Sequence, residues 1–343
     1  MARFIALFLI CIAFSAKVSC AYEFEQINRL FSYLETNYSE SLNYEQLTHS
    51  AGKILHDFDP NIKLYQSDSK AFLYGEGNLI DTFSFPDENK PEAWYSVFHK
   101  ILLSGYEHSQ TIQNNPYAFE QKVLTMITEH LDVYSRIEVD AFSENLIDYT
   151  IKDNVLYLKA TSFYHGSTQN MKEILLNYPD IDGLILDLRG NRGGYFDEAI
   201  QTADLFLDEV LITYSIEKNN PRRFYNSTKG DILLGKSIVI LTDENTASAA
   251  EIVTAALSEQ GRAVVIGTKT HGKGTIQQTY HFEDSTLYLT SGLFFSPSGK
   301  MIQDKGILPQ ICTGIHESCL FSNKSDRQKD VATAIQIIQA RLS

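Results

Sequence analysis

Cysteine, methionine and tryptophan are scarce in this chain of 343 residues, which has four cysteines, four methionines and one tryptophan. Cys11 and Cys20 lie within the first 20 residues, so removal of that segment would leave only Cys312 and Cys319. In an oxidising compartment this pair predicts a disulfide, and the alternative is two free buried thiols. Neither version supplies a metal site, which needs further ligands at close spacing. We expect no metal and no cofactor.

Positive charge is also limited: 29 Lys and Arg stand against 43 Asp and Glu, for a net charge of −14. No basic run occurs, which argues against a nucleic-acid partner. The nine histidines form no H-E-x-x-H pattern, which argues against a metallopeptidase. A hydrophobic content of 43% with 21% charged residues is typical of a soluble globular protein.

Long apolar runs are absent except near the N-terminus, where Phe4 to Phe14 follow Arg3 and precede small residues. Residues 1–20 contain no acidic residue, and the apolar run is too short for a permanent membrane helix. We predict a signal peptide cleaved before Ala21, and therefore an exported protein without an integral membrane segment. A periplasmic location is favoured and secretion stays open. A lipoprotein with a lipidated Cys20 is disfavoured, because Lys17 occupies the place of a small apolar residue.

Apolar spacing divides the remaining chain into two parts. Residues 21–150 show mainly helical spacing, as in Ile27-Leu30-Phe31-Leu34, with loop signals at Gly75–Asn78 and between Pro86 and Pro91. From residue 151 to 343, short apolar strands alternate with helical stretches, which predicts a layered α/β core that ends in a helix near Asp330 to Leu342. We predict a helical N-terminal domain followed by this α/β domain.

Two segments near the C-terminal end carry the clearest chemical signal. Ser248 lies between small residues at the start of an apolar helix, and Lys273 follows 25 positions later between Gly272 and Gly274. A serine hydroxyl is a poor nucleophile unless a neighbouring base takes its proton. Lysine is such a base only when neutral, which requires desolvation or a cationic neighbour to lower a pKa of about 10.4 in water. The alternative is a helix-capping serine and a solvated loop lysine.

Further motifs surround these two segments. Upstream, a buried strand from Asp182 to Leu188 ends in the glycine-rich turn Arg189–Gly194, and downstream lies the segment from Leu293 to Ile311. Their order and spacing over about residues 150 to 312 resemble the C-terminal processing (tail-specific) peptidases, the S41 family of Ser-Lys proteases. The resemblance implies a crotonase-like/ClpP-like fold for the α/β core. It also implies hydrolysis of peptide bonds through an acyl-enzyme.

The resemblance implies roles for individual residues. Ser248 matches the nucleophile, Lys273 the general base, and Gln277 the polar residue that orients the lysine. The backbone amide of Gly193 or Gly194, with that of Ala249, matches the oxyanion hole, consistent with the unpaired amides at a helix N-terminus. Glu251 matches an acidic position of supporting role, and the alternative is a first-turn glutamate favoured by the helix dipole.

Two departures from the family pattern stand out. The glycine-rich turn usually reads Asn-Pro-Gly-Gly, and here Arg192 replaces the proline. Full-length relatives also carry a PDZ domain of about 90 residues, which the resemblance places after a segment like Leu131–Ile137. That segment lies only about 18 residues before the core strand that starts at Val155. We therefore expect no PDZ domain here and do not carry over its recognition of a substrate C-terminus.

The same residues allow other interpretations. Gly267–Gly274 fits the phosphate loop G-x4-G-K but lacks the following Ser or Thr, and the next residues look extended instead of helical. His271 has no evident acidic partner for a Ser-His triad and is interpreted as a loop residue. Asp187 and Arg189 are interpreted as a structural pair at the end of a strand, where they anchor the glycine-rich turn. The leading prediction is an exported serine endopeptidase that acts on proteins or peptides. The alternative is a catalytically weak or inactive relative that binds peptides or apolar ligands. A homo-oligomer or a substrate-presenting adaptor stays open.

Overall fold

The computed structural model describes residues 24–87, 90–139, 147–218, 220–282, 285–313 and 327–341. The predicted signal peptide, its lipidation alternative at Cys20, and Cys319 lie outside these residues, so those predictions remain predictions. Within the described residues, no helix is both long and apolar enough to cross a membrane.

The helices and strands follow one another in an order that changes from mainly helical to alternating. They are α1 (Glu25–Asn37), α2 (Tyr44–Phe58), β1 (Ile62–Gln66), β2 (Lys70–Gly75), β3 (Asn78–Ser84), α3 (Pro91–Glu107), α4 (Gln110–Asn114), α5 (Pro116–Glu129), β4 (Arg136–Val139), β5 (Ile147–Lys152), β6 (Val155–Ala160), α6 (Ser167–Asn177), β7 (Gly183–Asp187), α7 (Phe196–Asp204), β8 (Leu211–Glu217), β9 (Asn220–Asn226), β10 (Ser237–Thr242), α8 (Ala249–Glu259), β11 (Ala263–Gly267), β12 (Thr275–Phe282), β13 (Ser285–Phe295), β14 (Ile311–Cys312) and α9 (Arg327–Ala340).

The chain forms two compact units: an N-terminal unit of Met1–Arg29 and Tyr44–Val123, and a C-terminal unit of Leu30–Asn43 and Leu124–Ser343. In the N-terminal unit, α2 buries Leu47, Ala51 and Ile54, whose helical spacing gives it one apolar face. The helical character predicted for this region is confirmed. The domain boundary after residue 150 stays a prediction.

The N-terminal unit also contains an antiparallel sheet, β1-β2-β3, that the helical prediction missed. The hairpin between β2 and β3 turns through Glu76 and Gly77, both with positive φ (50° and 82°), as a type I′ hairpin turn requires. The loop signal at Gly75–Asn78 was therefore a hairpin turn. The sequence does not predict these strands, because many of their side chains are exposed and the alternation of apolar and polar residues is weak.

The C-terminal unit is built on a six-stranded sheet with the order β14-β11-β10-β7-β6-β5. Neighbouring strands are parallel except β5, which runs antiparallel to β6. Every residue of β7 and β10 is buried, which explains their continuous apolar sequences. The layered α/β core predicted for this part of the chain is confirmed.

A second, antiparallel sheet in the same unit has the order β12-β13-β8-β9, and β4 also pairs with β13. The helix α8 lies in the main core, where its alanines Ala249, Ala250, Ala255 and Ala256 are almost fully buried. Because β7 and β10 are adjacent and parallel, with Asp187 opposite Leu241, the loops that follow them leave the same edge of the sheet. This edge carries the candidate site.

Candidate functional site

Two turns meet at the carboxyl edge of the main sheet: the turn after β7, which is glycine-rich, and the turn after β10, which leads into α8. The Ala247 N–H donates to the Asn191 carbonyl at 2.9 Å, and the Thr246 hydroxyl donates to the Leu188 carbonyl at 2.9 Å. The Gly190 N–H donates to Asp243 Oδ1 at 2.9 Å. These bonds fix the glycine-rich turn beside the start of α8.

Ser248 precedes the first residue of α8 in an uncommon backbone conformation, with φ 56° and ψ −121°. Residues other than glycine rarely adopt positive φ, and such strain persists only where the surroundings enforce it. Here the Ser248 N–H donates to Glu251 Oε2 at 2.8 Å. On the other side, a Cβ on Gly193 would lie 2.8 Å from Ser248 Cβ, so only glycine allows this approach.

Glu251 joins the serine segment to the lysine segment. Its side chain is fully buried and accepts four hydrogen bonds, from Ser248 N–H (2.8 Å), Thr270 Oγ1 (2.5 Å), Gly272 N–H (2.7 Å) and Lys273 N–H (2.8 Å). Burial raises the pKa of this carboxyl, and the four donors oppose that rise. Glu251 therefore connects the segment that contains Ser248 to the segment that contains Lys273. This structural role goes beyond a favourable interaction with the helix dipole.

The Lys273 side chain contacts an amide oxygen and an aromatic ring. Its Nζ lies 2.8 Å from Gln277 Oε1 and 4.9 Å from the centre of the Tyr134 ring. Gln277 also donates through Nε2 to the Tyr134 carbonyl. Gln277 lies on β12 and Tyr134 lies just before β4, so the two strands that flank β13 hold the lysine.

The glycines beside Lys273 are required by close packing. A Cβ on Gly274 would lie 2.4 Å from the Gln303 N atom, and one on Gly272 would lie 2.9 Å from the Gly306 N atom. The Gly274 N–H donates to Gln303 Oε1 at 2.8 Å. The lysine loop therefore packs directly on the chain segment around residues 303–306.

The three amides proposed for an oxyanion hole are in different situations. The Gly193 N–H donates to Asn191 Oδ1 at 2.8 Å and is already engaged. Gly194 and Ala249 line the site cavity, and within the described part of the chain their N–H groups have no protein acceptor. Of the two glycines, Gly194 is the better candidate.

A cavity of about 750 Å³ brings most of the predicted residues together. Ser248, Ala249, Lys273, Gln277 and Gly194 all line it, and aromatic side chains such as Phe163 and Tyr195 form much of the wall. Glu251 and Gly193 lie behind this surface, in contact with Ser248. A nucleophile, a basic side chain and free amides facing one cavity are the parts that acyl transfer needs.

The remaining sequence candidates lie elsewhere. His271 is exposed and does not line the cavity. The segment after Lys273 enters strand β12, whereas a phosphate loop opens a helix, so the nucleotide-binding interpretation of Gly267–Gly274 is wrong. Cys312 is disulfide-bonded, and its predicted partner Cys319 is not among the described residues.

Two residues at or beside the cavity have no role predicted from the sequence. Tyr134 contacts both Lys273 and Gln277. The sequence predicts no contact with the site for its segment, Leu131–Ile137. Arg192 lines the cavity. From the sequence, it is distinctive only because it replaces the proline of the family's glycine-rich turn. The unusual residue at position 192 could have indicated its importance from the sequence. The contact of Tyr134 with Lys273 could not, because the two residues are 139 positions apart and no local pattern links them.

A serine at a helix N-terminus and a lysine thus line one cavity at the edge of a layered α/β core. Residues 154–313 match the family model described as peptidase family S41. Among curated proteins, it is 34% identical over 194 residues to a carboxy-terminal-processing protease of Bartonella bacilliformis. It is 31% identical over 214 residues to the carboxy-terminal processing protease CtpA of Bacillus subtilis.

These matches cover part of each protein. They span 54% and 60% of this chain but 44% and 46% of the two relatives, so the chain matches less than half of their length. A solved structure of a lipoprotein from Streptococcus agalactiae is 14% identical, with a TM-score of 0.54, and the match covers 89% of this chain and 99% of that one. The similarity to this structure supports the fold alone.

Proposed function

We propose that this protein is a serine endopeptidase that hydrolyses proteins or peptides through a Ser248–Lys273 dyad. The observation that carries the proposal is the Glu251 bridge, which holds the backbone of Ser248 and the backbone of Lys273 on one carboxylate while both side chains line one cavity. A Ser-Lys pair needs such fixed placement, because proton transfer requires the two groups to be within reach of each other.

The reaction begins with Lys273 in its neutral form. Lys273 Nζ takes the proton of the Ser248 hydroxyl as Ser248 Oγ attacks the substrate carbonyl, and the Gly194 and Ala249 amides donate to the oxyanion. The lysine then gives its proton to the leaving amine, and an acyl-enzyme remains. Water attacks the acyl-enzyme, again with Lys273 as base, and releases the second product and free Ser248. No cofactor takes part.

The partners of Lys273 suit this role. Gln277 Oε1 accepts a hydrogen bond from the lysine and so orients Nζ, but the amide carries no charge that would hold a proton on it. Tyr134 holds Gln277 in place through its carbonyl. The Glu251 carboxylate accepts its four hydrogen bonds from three backbone amides and the Thr270 hydroxyl. None of these four bonds comes from the Lys273 ammonium.

The location and substrate delivery are part of the same proposal. The composition of residues 1–20 supports export, with the periplasm as the favoured destination. Seven residues, 140–146, separate β4 from β5, which supports the expectation that no PDZ domain intervenes there. Substrate would then reach the cavity directly or through a partner, such as another copy of the chain or an adaptor.

The test compares wild type with Ser248→Ala in cleavage of unfolded casein. We expect wild type to release peptides and Ser248→Ala to release none, with the same circular dichroism spectrum for both. Cleavage by both proteins would assign the activity to another residue or to a contaminant. No cleavage by either folded protein, with saturable casein binding, would favour the alternative of an inactive peptide-binding relative.

A further inference from the structure

The site cavity carries the opposite charge to the protein that surrounds it. Among the described residues, its lining includes three cationic side chains, Arg136, Arg192 and Lys273, and one carboxylate, Asp197. The chain as a whole has a net charge of −14. This described part of the lining stays net positive even when Lys273 is neutral, as a general base must be. A local field of this sign attracts anionic groups to the cavity.

Arg192 is the best placed of these cations. Its neighbour Asn191 is buried and donates through Nδ2 to the Ala160 carbonyl at 3.0 Å, and its other neighbour Gly193 contacts Ser248. The backbone of Arg192 is therefore fixed on both sides beside the proposed nucleophile. Its side chain is exposed, and in the stretches that the structure describes its guanidinium forms no ion pair.

Arg136 differs, because its guanidinium has partners within the protein. It lies 4.4 Å from the centre of the Tyr288 ring and donates to the Tyr134 carbonyl at 3.2 Å. These contacts fix its position in the wall, where its charge adds to the field. Arg136 therefore contributes to the potential, while Arg192 can turn its planar group of donors toward a ligand.

We propose that the cavity selects substrates with a carboxylate close to the scissile bond, and that Arg192 binds this carboxylate. A guanidinium forms two parallel hydrogen bonds with a carboxylate, a stronger pairing than that between neutral groups. Because Gly193, next in sequence, contacts Ser248, the carboxylate lies within a few residues of the bond that is cut. It belongs either to an Asp or Glu side chain or to the free C-terminus of the substrate. This inference rests on the proposed peptidase function.

The test uses one quenched fluorescent peptide that the enzyme cleaves, in matched versions. Glu replaces Gln at each of three positions on either side of the scissile bond, and each peptide is made with a free or an amidated C-terminus. We expect kcat/KM to be about 10-fold higher for the best carboxylate-bearing peptide than for its neutral match. A gain from Glu identifies a side-chain carboxylate, and a gain from the free C-terminus identifies the terminal one.

Arg192→Gln and Lys229→Gln form the matched pair of variants. Each removes one positive charge, but Lys229 is an exposed loop residue outside the cavity. We expect Arg192→Gln to reduce the ratio between charged and neutral peptides to about one, and Lys229→Gln to keep the wild-type ratio. Equal kcat/KM for charged and neutral peptides in wild type, or an unchanged ratio in Arg192→Gln, would overturn the inference.

Binding separates this inference from the proposed function. With Ser248→Ala, the dissociation constants of labelled charged and neutral peptides are measured by fluorescence anisotropy, so no catalysis is needed. Tighter binding of the charged peptide that requires Arg192 supports the inference even if wild type hydrolyses nothing. Hydrolysis without charge preference leaves the peptidase intact and rejects the role of Arg192.

Discussion

Two polar clusters in the C-terminal unit place cations in opposite surroundings. The buried ion cluster consists of Asp187, Arg189, Asp330 and Tyr157, and the lysine cluster consists of Ser248, Lys273, Gln277 and Tyr134. Arg189 donates to Asp187 at 2.7 and 2.9 Å and to Asp330 at 2.8 Å, so its charge is neutralised by carboxylates away from water. Lys273 instead contacts an amide oxygen and a ring.

The difference lies in whether the cation can lose its proton. Carboxylates on either side raise the pKa of Arg189 beyond its already high range, and Arg189 in turn lowers the pKa of Asp187. Such a cluster is fixed in one charge state and ties α9 to the end of β7. In the lysine cluster, the amide oxygen and the ring that contact the lysine side chain carry no charge that would hold a proton on it. Charge state separates a structural cation from one suited to proton transfer.

The largest expected effect is on turnover. Lys273→Ala and Lys273→Arg should each lower kcat by about 10³-fold or more, because the first removes the base and the second replaces it with a group that stays protonated. Lys229→Ala serves as the exposed control and should retain wild-type kcat. Substantial turnover in Lys273→Arg would mean that another group accepts the serine proton.

The next effect is on stability, in the buried ion cluster. Asp330→Ala leaves the Arg189 guanidinium short of one carboxylate partner and the Thr313 hydroxyl without its acceptor. We expect the free energy of unfolding to fall by about 3 kcal/mol in urea titrations, because buried donors of Arg189 and Thr313 lose their acceptor. Asp180→Ala, at an exposed acid, should change it by less than about 0.5 kcal/mol. Equal losses in both variants would mean that Asp330 in the buried ion cluster contributes no more to stability than an exposed acid.

A smaller, pH-dependent effect is expected at Glu251. Burial raises its pKa above the usual 4.5, so the folded state binds the proton more tightly than the unfolded state. The contribution of this group to stability is therefore fully present below pH 4.5 and declines as pH rises through the raised pKa. The unfolding free energy of wild type minus that of Glu251→Gln should decrease with rising pH over this window. An increase would mean that the four donors outweigh burial.

The smallest effect is expected at Tyr134. An aromatic face stabilises a nearby ammonium by about 0.5–1 kcal/mol, which corresponds to roughly half a pH unit. Tyr134→Leu should therefore move the acidic limb of the kcat/KM profile to lower pH. Tyr134→Phe retains an aromatic ring, so its acidic limb should stay at the wild-type pH. Identical profiles for the two variants would show that the ring does not act on the lysine charge.

Local sequence patterns predicted the parts of the site that local backbone determines. Small residues before an apolar helix indicated Ser248, and glycines indicated the tight packing around Lys273. Contacts between distant segments had no such signal: Asp330 meets Arg189 across 141 positions, and Tyr134 reaches Gln277 across 143. The engaged amide of Gly193 depends on a side-chain contact with Asn191 that the turn motif does not encode. The boundary between the domains and the catalytic roles stay predictions.

The most direct measurement of the central claim is labelling by a fluorophosphonate reagent, followed by mass spectrometry of the labelled peptide. Our account predicts one label on Ser248 in wild type, none in Ser248→Ala, and a labelling rate at least about 100-fold lower in Lys273→Arg, since a general base contributes about 10²–10⁴-fold. A label on another residue, or equal rates in wild type and Lys273→Arg, would contradict the claim that Lys273 activates Ser248.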